Sequence, residues 1–185
     1  WADGGAGGAW ERVTNVSQLE AGKQIIFGHE ADPTNSAGVI IPARSVDWNS
    51  EKGYLNTGTT AGSSTTSTIT MPSNPAEDYI FTLCAGHNTG YLAFKMADNQ
   101  YVGHNGRNSV NKYDELDTDG KTDFSFAIGD NDKLTITNKY GNENATLYNS
   151  ANHYYKYLRY NTASSNQRFA IYESGQADPV AYVKS

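Results

Sequence analysis

Apolar residues in this chain come in short runs separated by polar stretches, and no window repeats them at the spacing of a sustained amphipathic helix. The runs therefore predict strands. Trp10-Glu11-Arg12-Val13 is the first, and Ser17-Gln18-Leu19-Glu20 has capping-box spacing, with Gly22 placed to end a single helical turn. Gln24-Ile25-Ile26-Phe27 and Gly38-Val39-Ile40-Ile41 are continuous apolar runs, as in strands covered on both faces, and Pro42 is expected to end the second or to lie on an edge. Residues 56–78, rich in Thr and Ser, read as a long surface loop holding at most a short edge strand at Thr68-Ile69-Thr70-Met71.

Beyond that loop a pattern repeats. Phe81-Thr82-Leu83, Phe126-Ala127-Ile128 and Phe169-Ala170-Ile171 each set an aromatic and an aliphatic residue two apart, at intervals of 45 and 43 residues. Leu92-Ala93-Phe94 and Leu134-Thr135-Ile136 follow the first two across polar turns, which predicts hairpins. Further strands are expected at Tyr101-Val102, Ala145-Thr146-Leu147-Tyr148, around Leu158, and at Val180-Ala181-Tyr182-Val183. About a dozen short strands predict an all-β fold, a closed barrel or a sandwich, and the barrel leads because closure removes edges that would otherwise aggregate. The interval fits a trefoil-like barrel of three four-stranded units. The first third fits that unit poorly, so an irregular Greek-key barrel stays open as the alternative.

Composition adds size and exclusions. A chain of 185 residues suits one domain, here residues 10–185, after a Gly/Ala-rich linker over residues 1–9. Twenty acidic against 14 basic residues give a net charge of -6, which opposes the phosphate neutralisation that nucleic-acid binding needs and disfavours anionic membranes. No apolar run is long enough to insert into a bilayer, and the single cysteine, Cys84, excludes an intrachain disulfide.

The order Trp10-Glu11-Arg12-Val13, Leu19-Glu20-Ala21-Gly22, Ile25-Ile26, Gly90-Tyr91-Leu92, Leu134-Thr135-Ile136-Thr137-Asn138 and Leu158-Arg159-Tyr160-Asn161 ahead of Arg168-Phe169-Ala170-Ile171-Tyr172 resembles secreted all-β modules of gut Bacteroidetes. The likeness spans most of residues 10–184. It implies a piece of a longer, multi-domain protein, exported to the cell surface or periplasm, and it carries over no catalytic residue.

Candidate chemistry is sparse. The four histidines lie far apart, and Cys84 with His87 lacks the second ligand pair that zinc requires, so Cys84 reads as a packed strand residue. No strand-turn-helix elbow presents a nucleophilic serine. A glycoside-hydrolysing carboxylate pair is visible only if the fold brings two acids together, so the chain is read as no enzyme and as needing no cofactor. Asn15-Val16-Ser17 and Asn144-Ala145-Thr146 match a sequon too common in Asn-rich chains to carry weight. In the acidic stretch 114–123, Glu115, Asp117, Asp119 and Asp123 fall at calcium-loop spacings, but the twelfth position is Phe126 where a bidentate Glu belongs. A solvated acidic turn is the simpler reading.

The densest aromatic stretch is Tyr154-Tyr155-Lys156-Tyr157-Leu158-Arg159-Tyr160. Strand alternation puts Leu158, Lys156 and Tyr160 on one face, and Tyr155, Tyr157 and Arg159 on the other. With Leu158 inward, two phenols and a guanidinium face outward, joined by nearby Asn149, Asn152 and His153 and, from a separate loop, Trp48. Exposed rings stack on sugar CH faces while such polar side chains meet hydroxyls, so the leading expectation is a carbohydrate-binding module. The alternative is a structural or adhesive domain that contacts a cell-surface protein, its tyrosines being ordinary strand residues.

Overall fold

The computed structural model describes residues 10–30, 40–49, 53–57, 63–64, 68–70, 79–144, 154–163, 167–173 and 175–184. The first third holds β1 (Trp10–Arg12), β2 (Gln24–Glu30), β3 (Ile40–Asn49), β4 (Tyr54–Thr57), β5 (Ser63–Ser64) and β6 (Thr68–Thr70). The middle third is a four-stranded meander of β7 (Phe81–Ala85), β8 (Leu92–Lys95), β9 (Tyr101–His104) and β10 (Val110–Tyr113). A second meander contains β11 (Phe124–Ile128), β12 (Leu134–Asn138), β13 (Tyr157–Tyr160) and β14 (Phe169–Tyr172), and β15 (Val180–Lys184) follows it. The short helix α1 (Lys139–Asn144) follows β12.

The strands close into a barrel. From β8 the pairing runs through β11, β12, β13, β14, β4, β3 and β2, and β7 pairs with both β2 and β8 to complete the ring. Closure leaves these strands few free edges, which agrees with the expectation drawn from their number and brevity. Two flaps extend from the ring: β9 and β10 from β8, and the series β15, β1, β6 and β5 from β2.

Phenylalanine fills the interior. Phe27 lies 5.0 Å from Phe81, 5.4 Å from Phe94 and 5.3 Å from Phe169, and Phe94 in turn lies 5.0 Å from Phe124 and 5.7 Å from Phe126. All six phenylalanines of the chain thus form one connected group. The fully buried counterpart of Phe81 and Phe169 is Phe124, whereas Phe126 packs at the margin of the core. On this strand the deepest repeat position is therefore two residues earlier than the expected Phe126, because Phe124, Phe126 and Ile128 alternate on one face and the run alone does not say which end is deepest.

A smaller apolar cluster of Trp10, Ile26, Ile40, Tyr79, Val180 and Tyr182 covers the other face of the β2–β15 pair. It explains the unbroken run at residues 25–27: Ile25 and Phe27 face the barrel while Ile26 faces this second cluster.

Several local expectations are corrected. Pro42 neither ends its strand nor sits on an edge. Pairing with β2 stops at Pro42, opposite Gly28, and pairing with β4 starts at Ala43, so the residue without an N–H stands where β3 changes partners. A side chain at Gly28 would collide with the Ile41 carbonyl, its Cβ falling 2.6 Å away. The helical turn is a 3-10 turn over Val16–Gln18, capped by Asn15 in place of Ser17. Asn15 Oδ1 accepts from Ser17 N at 2.9 Å and Gln18 Oε1 accepts from Asn15 N at 3.0 Å. The turn cannot run on because Leu19 is buried and Gly22 N donates to Leu83 O at 2.7 Å. The strand at Thr68–Thr70 is present but is not the edge, since it lies between β1 and β5. β4, β5, β10 and α1 were not expected; each is too short to show a period, and β5 with the end of β4 falls within residues 56–78, expected to hold at most the strand at Thr68–Met71. The linker 1–9 and the strand expected at Ala145–Tyr148 lie outside the described residues.

Candidate functional site

The outer face of β12, β13 and β14 carries the aromatic surface. Leu158 and Tyr160 point into the core, fully and almost fully buried, so Tyr157 and Arg159 point out. In register, Tyr157 stands opposite Thr137 on one side and Tyr172 on the other. Directly opposed residues share a face, so two tyrosines lie side by side on this surface, both half-buried.

Arg159 is held rigidly. Its Nε donates to Asp178 Oδ1 at 2.8 Å and one η-nitrogen donates to the Glu173 carbonyl at 2.8 Å. Asp178 follows Ala177, which exchanges both backbone hydrogen bonds with Tyr160, and its second oxygen is 3.4 Å from Thr135 Oγ1. The guanidinium lies 4.4 Å above the Tyr157 ring, and Lys156 Nζ lies 5.2 Å from the same ring, so Lys156, expected on the Leu158 face, reaches the outer surface because the strand starts only at Tyr157. Among the described residues no cation lies over Tyr172. Its phenol oxygen accepts a hydrogen bond from Asn161 Nδ2 at 3.0 Å, which fixes the ring's outer end.

Tyr155 does not join this surface. The strand begins at Tyr157, so alternation does not extend back to residue 155, whose side chain packs against the barrel core. Its backbone is pinned instead: the N–H donates to Arg107 O at 2.9 Å and the carbonyl accepts from His104 Nε2 at 2.9 Å. Helix α1 comes so near that a Cβ at Gly141 would sit 2.1 Å from the Tyr155 carbonyl oxygen. Trp48 belongs to β3, but its side chain lies outside the described residues, as do Asn149, Asn152 and His153.

Two residues of the surface, Tyr172 and Asn161, escaped the sequence reading as candidates because they sit on or beside a neighbouring strand. The only signal was the alternation Phe169-Ala170-Ile171-Tyr172, whose apolar members fix Tyr172 outward once the pairing with β13 is known. A second aromatic group was also missed: His104, Tyr140 and Tyr154 gather from β9, α1 and the residues before β13, with Tyr140 and Tyr154 5.5 Å apart and nearly perpendicular.

The acidic stretch is turn scaffolding. Asp117 Oδ2 accepts from the backbone of Asp119 and Lys121, each at 3.0 Å. Asp123 is fully buried and accepts from His87 N, Asn88 N and Asn88 Nδ2 at 2.8, 3.0 and 2.7 Å, holding the β7–β8 turn. Glu115 and Asp119 are exposed, and among the described residues no group of three or more His, Cys, Asp or Glu side chains is placed to hold a metal ion. Cys84 is half-buried, burial pushes its thiol pKa up, and its nearest polar partner is the Thr82 carbonyl at 3.8 Å. A cavity of about 210 Å³ lies away from the aromatic face, with Glu11 and Glu20 in its lining beside Lys23 and Lys184. Both glutamates are exposed, so neither sits in the dry surroundings of a general acid.

No family model matches the chain, and no curated protein matches it. Solved structures do. That of SeviL bound to asialo-GM1 saccharide is 17% identical with a TM-score of 0.51, covering 89% of this chain and 99% of its own. The BEL beta-trefoil, in its apo crystal form 3, is 16% identical with a TM-score of 0.55, covering 94% of this chain and 98% of its own. At such identities the likeness shows the fold alone. Of the two barrels that the strand pattern left open, the chain has the trefoil-like one. Among the described residues no helix is long and apolar enough to cross a membrane.

Proposed function

We propose that this chain is a non-catalytic carbohydrate-binding module whose contact surface is the outer face of β12, β13 and β14. The observation that carries the reading is the paired Tyr157 and Tyr172 beside an Arg159 guanidinium already oriented by Asp178 and Glu173. Rigid aromatic area with pre-positioned donors lowers the ordering cost of binding a flexible, hydroxyl-rich ligand. That one structure of the same fold holds a saccharide supports the same reading. Tyr172 is the better stacking ring, since the faces of Tyr157 already carry Arg159 and Lys156.

A second reading, a structural or adhesive domain without a small ligand, draws on one specific feature. Tyrosines outside this surface also lie under cations, among them Tyr54 under Arg168 at 4.1 Å and Tyr140 under Lys121 at 5.0 Å, so ring burial by basic side chains is a general habit of the chain. For the module's setting we propose the cell surface or another exported location, within a longer protein. The resemblance of residues 10–184 to exported Bacteroidetes modules supports that placement.

The test is a broad glycan array with the intact chain, followed by titration of any ligand found. Tyr172→Ala and Tyr157→Ala should each weaken binding, the former by about tenfold or more, with circular dichroism and melting temperature close to the parent, because both rings lie outside the core. Unchanged binding by both variants overturns this surface as the site. An array with no bound glycan overturns the function itself.

A further inference from the structure

We infer that the saccharide taken by this surface is an acidic one, bearing a carboxylate or a sulfate. This deepens the carbohydrate-binding reading and rests on it. The chain as a whole is acidic, with a net charge of -6, yet the aromatic patch is edged by two cations. They differ in how they are used. Arg159 is half committed: Nε is bonded to Asp178 and one η-nitrogen to the Glu173 carbonyl, and among the described residues the other η-nitrogen donates to no protein acceptor. Lys156 is uncommitted. No carboxylate of the described residues pairs with its Nζ, which rests over the Tyr157 ring at 5.2 Å.

Of the other lysines over tyrosine rings in the described structure, Lys139, over Tyr91, also pairs with Glu143, whereas Lys95, over Tyr101, and Lys121, over Tyr140, pair with no carboxylate of the described residues; Lys156 differs from these two in standing beside Arg159 on the Tyr157 ring. The backbone of Lys156 is meanwhile fixed, its carbonyl accepting from Asn138 N at 2.7 Å, so only the side chain is free to swing. An ammonium on a fixed stem, beside a guanidinium with a donor to spare and a tyrosine ring on each strand of the β13–β14 pair, matches an anionic group carried on an apolar sugar face. Charge-assisted hydrogen bonds from Lys156 and Arg159 would hold the anion. Tyr172, with its phenol fixed by Asn161, would take the ring.

The experiment uses the intact chain on an array that pairs neutral glycans with their sialylated, uronate-containing and sulfated counterparts. Binding confined to, or about tenfold tighter for, the acidic member of a pair is expected, together with a similar loss in Lys156→Gln and recovery in Lys156→Arg. Preference for sialylated and uronate members alone assigns a carboxylate, and preference for sulfated members alone assigns a sulfate. Melting curves check that Lys156→Gln folds as the parent does, as expected for a side chain without a protein ion pair. Equal binding of neutral and acidic members, or an unaltered Lys156→Gln profile, overturns the inference while leaving the carbohydrate-binding function standing. Absence of binding to every member overturns both.

Discussion

His104 shows how much a single side chain can tie together. It is fully buried, and its two ring nitrogens face groups of fixed polarity: Nδ1 accepts from Gly106 N at 2.8 Å and Nε2 lies 2.9 Å from the Tyr155 carbonyl. A backbone N–H only donates and a carbonyl only accepts, so the neutral tautomer protonated at Nε2 is the one that satisfies both. Burial pushes the pKa from 6.5 down to about 4, against the Tyr155 bond, which favours the charged form, and with help from Lys121. Above pH 6.5 the imidazole is neutral in both folded and unfolded chains and its contribution is complete. As pH falls the unfolded chain takes up the proton first, so stability declines until the folded form also protonates near pH 4. The loss from this group is on the order of 3 kcal/mol. His29, stacked on Tyr160 at 4.2 Å, is shifted the same way, chiefly by burial and then by Lys133, with Glu30 opposing. Chemical denaturation across that range should show the decline, and His104→Gln, though less stable near neutrality, should show a flatter pH profile.

Strand β1 is only three residues long and is secured by chemistry more than by length. Arg12 reaches from it to Glu30 of β2, to Tyr182 OH of β15 at 3.0 Å, to the Asn131 carbonyl at 3.0 Å and to Asp132 Oδ2 at 3.2 Å. Burial works against the charged guanidinium, but the bonds to Glu30 and Tyr182 outweigh it and raise the pKa above its ordinary value. Asn131 and Asp132 both adopt positive φ, 56° and 59°, a backbone strain that the two contacts to Arg12 help to offset. Removing one partner of a buried ion pair leaves the other charge desolvated, so Arg12→Met should cost roughly 3–5 kcal/mol in denaturant unfolding. Adding Glu30→Leu to Arg12→Met should recover much of that loss, since an apolar pair no longer strands a carboxylate. A double variant no more stable than Arg12→Met would show that the pair acts through something other than charge burial.

For the barrel as a whole, the connected phenylalanines make stability a shared property of all three sequence thirds. Phe94 touches Phe27, Phe81, Phe124 and Phe126, which come from β2, β7 and β11. Truncation there opens a void bordered by four rings that cannot all collapse inward. Phe94→Ala should therefore cost about 3–5 kcal/mol and lower the unfolding midpoint as a single cooperative transition. A variant that melts in two steps would mean that the thirds fold as separate units.

What could be read from the residues alone was whatever strand geometry imposes locally. Alternation placed Leu158 inward and Tyr157 and Arg159 outward, continuous apolar runs identified strands covered on both faces, and the spacing of Phe81 and Phe169 announced repeated units. Each of these follows from the two-residue period of a strand and the need to bury apolar area. What only the tertiary structure decided was which strands become neighbours and where each strand begins. Pairing of β13 with β14 brought Tyr172 beside Tyr157, though they stand fifteen positions apart in the chain. The start of β13 at Tyr157 sent Tyr155 to the core. The partners of Asp123 lie in the β7–β8 turn, more than thirty positions earlier, which made a buried clamp of what resembled a cation loop. Register and pairing depend on contacts between distant segments, and no local period encodes them.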